Sequence, residues 1–163
     1  MYFAHTPSIH KPEEWHALSD HSLQVAEACK EIGKKLGFPN TAYTLGILHD
    51  LGKLKPEFQK KLVDAFYHGI NHVVPHKEVG AYLIQQSNPL LSLVLLGHHY
   101  QIPSYKNLID ALEKTNDTES SQCKQKLKEM LPEFEMNTLD FDPGLSLIHI
   151  SEPTRQAEIS YAV

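Results

Sequence analysis

The sequence predicts an all-α fold, a single bundle of helices. Apolar residues recur at helical spacing in most segments, helix-starting and helix-stopping residues separate these segments, and no stretch alternates with the period of a β-strand. The 163 residues, 41% hydrophobic and 21% charged, are typical of one soluble globular domain. We therefore expect one helical domain over residues 1–144.

Three helices are predicted in the first half of the chain. The first follows an extended lead-in and takes Ser19 or Asp20 as its N-cap. The second is expected over residues 41–50, and the third begins at Pro56, since proline suits the first turn of a helix. The apolar stripe of the first helix consists of Leu18, Val25, Cys29, Ile32 and Leu36.

Four further helices are predicted over residues 76–83, 90–96, 105–114 and 119–131. Gly80 and Ala81 would permit close packing of the first of these. The apolar segment 90–96 is much shorter than the roughly 20 residues of a membrane span, so we interpret it as a buried helix.

The charge and cysteine content favour a cytoplasmic protein without a membrane partner. A net charge of −5 argues against binding nucleic acid through a broad basic surface, although bound cations can reverse the local sign. Cys29 and Cys123 lack metal-type spacing, and no secretory signal is visible.

The segment 145–163 differs in composition from the rest. It contains the single arginine of the chain, Arg155, whereas every other basic residue is lysine. It resembles translated adapter sequence, and we expect a non-native or disordered tail. A genuine exposed terminus is the alternative.

The pair His49-Asp50 is the centre of the functional prediction. It lies at the end of a predicted helix, where both side chains can lean toward an ion beside the helix, and a carboxylate can bridge two ions. Gly52 suits a left-handed helix end, and Lys53 follows at a place where an ammonium could meet a phosphate. The alternative without a metal is a hydrogen-bonded pair at the surface.

Other histidines, from a total of eleven, are candidate ligands of the same site. His21 lies on the first apolar stripe and could be an ordinary core residue, while His76 begins a helix and could be a cap. His98 and His99 end an apolar helix, where their nitrogens need polar partners that a metal would supply.

Five imidazoles and one carboxylate suit transition metals such as Mn, Co, Ni or Fe, with Mg possible. Two ions fit six ligands better than one. Two-metal sites stabilise the attacking and leaving oxygens of a phosphodiester and activate a shared water. We expect Asp50 to bridge, with His21 and His49 on one ion and the other three histidines on the second. Lys53 would offset phosphate charge, or be an ordinary solvated lysine.

Four pieces of the sequence resemble the HD metal-dependent phosphohydrolases, and within them the HD nuclease domain of the CRISPR-associated nuclease-helicase of type I systems. The pieces are residues 20–27, residues 48–53 running into Pro56-Glu57-Phe58-Gln59, His76 with residues 79–81, and Gly97-His98-His99.

The resemblance implies a helical domain that cuts single-stranded DNA with two divalent transition metals. It would work beside a helicase domain or subunit and an RNA-guided surveillance complex in defence against foreign DNA. The ligands of the family fall on His21, His49, Asp50, His76, His98 and His99.

Two departures from the family pattern stand out. The late aspartate of the family is missing, because Asp110, Asp140 and Asp142 are poor candidates, so the domain is expected to be truncated. Tyr100 stands where glycine often follows the double histidine, and it could stack on a base or only narrow the cleft.

Two alternatives to the nuclease remain open. One is an HD phosphodiesterase acting on cyclic dinucleotides or other nucleotides, although residues 54–59 lack the Gly-Tyr-Pro feature of the cyclic-dinucleotide enzymes. The other is a non-catalytic fragment that binds metal or a partner, which the missing aspartate favours.

Overall fold

The computed structural model describes residues 1–8, 11, 13–85, 87–98, 104–136 and 139–140, so the predicted tail over residues 145–163 lies outside the described residues. The described chain is mostly helical, which confirms the all-α prediction. Its elements are β1 (Phe3–His5), β2 (His16–Ala17), α1 (Leu18–Leu36), α2 (Pro39–Leu48), a 3₁₀ helix (Leu51–Leu54), α3 (Pro56–His68), α4 (Lys77–Ile84), α5 (Pro89–Gly97), α6 (Tyr105–Lys114) and α7 (Asp117–Met130).

Helices α1 and α2 pack together through small residues. A Cβ added at Gly46 would come within 2.5 Å of the Ala26 Cα, so only glycine allows this approach. The predicted apolar stripe of α1 is wrong in its second half, because Ile32 is 61% exposed and Leu36 is 49% exposed. The buried face of α1 instead consists of Leu18, Ser22, Ala26 and Gly33.

The lead-in forms a small antiparallel sheet, which the sequence did not predict. Strands β1 and β2 pair with Phe3 opposite Ala17 and His5 opposite His16. The N-cap of α1 is Ala17 and makes no side-chain hydrogen bond, so the predicted caps Ser19 and Asp20 are wrong. The backbone N–H of Leu18 donates to the carbonyl of Tyr2 instead.

Helix α4 packs against the end of α2 at close range, and α5 packs against α4. A Cβ at Gly80 would lie 2.2 Å from the Leu48 carbonyl oxygen, which confirms the predicted close packing. The Ser92 hydroxyl of α5 donates to the Ala81 carbonyl of α4. Leu90 and Val94 are about half exposed, so α5 is buried on one face only.

The core joins the ends of these helices around the 3₁₀ helix. The most deeply buried apolar side chains include Leu18, Ile47, Leu48, Leu51, Leu54, Val79, Ile84 and Leu95.

Within the part of the chain that the structure describes, no helix is both long and apolar enough to cross a membrane.

Candidate metal centre

Asp50 lies between His49, the C-cap of α2, and the 3₁₀ helix, and it is 3% exposed. Its Oδ2 atom lies 2.8 Å from the Nζ of Lys53, 3.1 Å from the Nε2 of His21 and 3.1 Å from the Nε2 of His49. The two imidazole nitrogens are 3.3 Å apart. We call these three residues the Oδ2 side.

The other carboxylate oxygen faces a different pair of rings. The Nε2 atoms of His76 and His98 lie 3.5 Å and 3.8 Å from Asp50 Oδ1. We call these two residues the Oδ1 side. The structure thus brings side chains from α1, the end of α2, the start of α4 and the end of α5 to one carboxylate.

Gly52 fixes the position of His76 through the backbone. Its N–H donates to the His76 carbonyl at 3.1 Å, and a Cβ on Gly52 would lie 2.0 Å from that oxygen. The predicted left-handed conformation of Gly52 is wrong, because the described glycines with positive φ are Gly37 and Gly69. Glycine is required here for close backbone approach.

Hydrogen bonds to the backbone orient three of the rings. The Nδ1 atoms of His49, His76 and His98 each face a carbonyl oxygen, which can only accept, so each Nδ1 carries a proton. In a neutral ring the lone pair then lies on Nε2, the atom that faces Asp50. The three carbonyls belong to Gly46, Val74 and Leu95.

This arrangement fits bound cations. Lone pairs on Nε2 that face a carboxylate oxygen repel it, and a cation between them turns the repulsion into two attractions. Asp50 Oδ1 is buried and satisfied by no hydrogen bond among the described residues. The ligand atoms of His21, His49 and Asp50 lie within 4.8 Å of one another, as do those of Asp50, His76 and His98.

The charge states also favour metal binding. Burial would raise the pKa of Asp50, but the positive charge of the Lys53 ammonium 2.8 Å from Oδ2 opposes it, and the pKa lies below its usual range. Burial lowers the pKa of His21, against the opposing effect of Asp50. The site therefore presents an ionised carboxylate and, at neutral pH, a neutral His21 ring, the forms that bind metal.

Lys53 is a buried partner of Asp50 and is not solvated. It is 4% exposed, and its Nζ also donates to the Ala4 carbonyl at 3.0 Å. The alternative of an ordinary solvated lysine is therefore wrong, whereas direct contact with a phosphate stays a prediction.

The Pro-Glu-Phe-Gln piece supports this corner of the site. The side-chain amide of Gln59 accepts from the Phe3 N–H and donates to the carbonyls of Phe3 and Lys53. The Phe58 ring lies 5.0 Å from the His76 ring between centroids. The sequence contained both residues, but the hydrogen bonds of Gln59 with Phe3 depend on β1, which was not predicted.

Of four other candidates, the structure describes only Asp140. His99 and Tyr100 lie outside the described residues, as does Asp142. Asp140 accepts hydrogen bonds from the backbone N–H groups of Asn40 and Thr41, at 3.0 Å and 2.8 Å. These groups begin α2, roughly 15 Å along the helix from Asp50 at 1.5 Å per residue, so Asp140 supplies no ligand to the centre.

The sequence interpretation also missed His5 and His16, whose ring nitrogens lie near His21. Only the pairing of β1 with β2 brings them there. Strands of three and two residues are too short to leave a periodic signal.

Comparison with known proteins decides the family. The HD domain family matches residues 18–132, which is more than half of the chain and includes every residue that converges on Asp50. The chain belongs to the HD domain family. HD domains are metal-dependent phosphohydrolases, and the groups of histidine and aspartate side chains in this HD domain could hold a divalent metal. No curated protein matches the sequence.

Proposed function

We propose that this HD domain is a nuclease that hydrolyses phosphodiester bonds of single-stranded DNA in type I CRISPR interference against foreign DNA. It would use two divalent transition-metal ions, one at each oxygen of Asp50. The observation that carries the proposal is the division of the histidines into two sets around one buried carboxylate.

Each set of residues would hold one ion. His21 and His49 would bind the ion at Oδ2, and His76 and His98, with His99 as predicted, would bind the ion at Oδ1. Bound divalent ions supply charge stabilisation to the phosphodiester and a nucleophilic water at neutral pH. Asp50 would contribute one oxygen to each position, and Lys53 keeps its carboxylate ionised and oriented.

One feature favours the nuclease branch over other HD enzymes, and a second shows that a substrate of either branch can reach the site. The Pro-Glu-Phe-Gln piece, which resembles that branch, packs directly against the site through Phe58 and Gln59. The side chains of the four described histidines are each 15–18% exposed, so the edges of the rings are open to a substrate. The helicase and the RNA-guided surveillance complex, as partners, rest on the resemblance alone.

The test offers three substrates to the full chain with Mn²⁺ or Co²⁺. These are circular single-stranded DNA, double-stranded DNA and a cyclic dinucleotide. We expect the single-stranded circle to be cut, and we expect EDTA to stop the reaction. Because a circle has no ends, its cleavage would identify an endonuclease. Hydrolysis of the cyclic dinucleotide alone would favour the phosphodiesterase. Two bound ions without turnover of any substrate would favour the non-catalytic fragment.

A further inference from the structure

A second group of histidines adjoins the metal centre on the small sheet. His5 of β1 and His16 of β2 are paired residues, and the sheet runs into α1, which carries His21 one turn beyond its start. The ring nitrogens of these three histidines lie within 4.8 Å of one another. His5 is exposed, whereas His16 and His21 are partly buried.

From this cluster we infer a third metal position, formed by His5, His16 and His21, that takes a divalent transition-metal ion such as Zn²⁺, Co²⁺ or Ni²⁺. Three imidazoles without a carboxylate select these ions over Mg²⁺ or Ca²⁺. The exposed edge at His5 leaves room for water or an anion as a further ligand, as in zinc sites that keep an open position.

The geometry requires only a small adjustment of side chains. Bonds of about 2.0–2.1 Å to a tetrahedral ion place ligand nitrogens about 3.3 Å apart. The ring centroid of His21 lies 5.0 Å from that of His5 and 5.5 Å from that of His16. Rotation of the exposed His5 ring can close the remaining gap while the paired strands keep their backbone positions.

His21 belongs to both this position and the Oδ2 side. Its Nε2 lies 3.1 Å from Asp50 Oδ2, and a neutral imidazole has a single nitrogen lone pair for a metal. The third position therefore competes with the Oδ2 position for His21. It extends the metal chemistry beyond the proposed function, and its existence does not require that the protein cuts DNA.

The first experiment counts the Co²⁺ ions bound by variants that carry Asp50→Asn, a change that removes the carboxylate beside His21. Affinity tags are removed before the measurement. Equilibrium dialysis and metal analysis compare Asp50→Asn with Asp50→Asn/His5→Gln/His16→Gln. The matched control, Asp50→Asn/His68→Gln/His72→Gln, alters two exposed histidines that lie outside both groups. We expect the first triple variant to bind one Co²⁺ fewer than the parent and the control to lose none. Equal numbers of bound ions in all three proteins would overturn the inference.

A second measurement uses Asp50→Asn/Lys53→Met, in which no carboxylate holds His21 at the Oδ2 position and no buried ammonium is left without its anion. Nitrogen NMR of the histidine rings is recorded during addition of Zn²⁺. We expect the ring signals of His5, His16 and His21 to shift together, while those of His68 and His72 stay in place. If the His5 and His16 signals do not shift in this variant at excess Zn²⁺, the third position does not exist.

Discussion

The two sides of Asp50 are built differently. The Oδ2 side is dense and already contains a cation, with Lys53 at 2.8 Å and two imidazole nitrogens at 3.1 Å. The Oδ1 side is more open, with nitrogens at 3.5 Å and 3.8 Å, and Oδ1 is satisfied by no hydrogen bond from the described residues. The protein thus neutralises one oxygen itself, and the other oxygen would be balanced by the proposed ion.

This difference predicts two unequal metal positions. The Lys53 ammonium repels a second cation at Oδ2 and shares its oxygen, which weakens metal binding there. No such cation contacts Oδ1 among the described residues. We expect the Oδ1 position to fill first as metal is added and the Oδ2 position to fill second.

Removal of the shared carboxylate should have the largest effect. Asp50→Ala deletes a ligand from both positions and should lower cleavage of single-stranded DNA by about a thousandfold or more. Metal ions supply several kcal/mol of transition-state stabilisation, and each 1.36 kcal/mol is a factor of ten in rate. Gel assays with Mn²⁺ measure the loss, with His68→Gln as the control. Retained cutting by Asp50→Ala would count directly against a bridging role.

The next prediction concerns stability, and it removes the internal cation, Lys53. Lys53→Met breaks a buried ion pair and should cost about 3–5 kcal/mol in urea unfolding with EDTA present. Added Mn²⁺ should recover part of this loss, since an ion at Oδ2 then balances Asp50.

Lys60→Met is the matched control for this change. It removes the exposed partner of Asp64 and should cost no more than about 1 kcal/mol. An equal loss for Lys53→Met with and without Mn²⁺ would show that the ammonium and the metal do not share the carboxylate.

A pair of glycine substitutions should separate the two sides. Gly52→Ala pushes against the His76 carbonyl on the Oδ1 side, and Gly46→Ala pushes α1, with His21, away from α2. Each should weaken Co²⁺ binding at its own position by about 10–100-fold, the range found when residues that support metal ligands are changed. Calorimetric titration resolves the two positions, and circular dichroism checks the fold. Equal weakening of both positions by each variant would argue against independent sides.

The smallest predicted effect is on the pH dependence of the stability of the metal-free protein. The pKa of His21 is lowered by burial, so the folded ring stays neutral below pH 6.5 while the unfolded chain takes up a proton. This contribution to stability is complete above pH 6.5 and declines as the pH falls toward the folded-state pKa. Urea unfolding at several pH values should show a smaller decline in His21→Gln. An unchanged decline would assign the effect to other groups.

The sequence was sufficient to predict, for a physical reason, most of the side chains that meet at Asp50. His49, His76 and His98 are polar rings placed at helix ends beside apolar segments, so packing alone does not explain them. The helices next to these rings follow from apolar periodicity, and Asn88 marks the start of the helix that ends at His98. Local signals of this kind survive in a single sequence.

Other features depended on contacts between distant segments and were not predictable. The buried face of α1 is set by the small residues that meet α2, and its large apolar residues point elsewhere. Gly52 is required by a carbonyl 24 positions later, and Gln59 by a three-residue strand. His5 and His16 approach His21 only because two very short strands pair.

The most direct test of the account is a crystal structure grown with Mn²⁺ or Co²⁺, with the ions located by anomalous scattering. The account predicts two peaks about 3.5–4 Å apart, one at each oxygen of Asp50. The peak at Oδ1 should have the higher occupancy at limiting metal. A single peak at Asp50, or ions bound only elsewhere, would contradict the claim that this carboxylate bridges two metals.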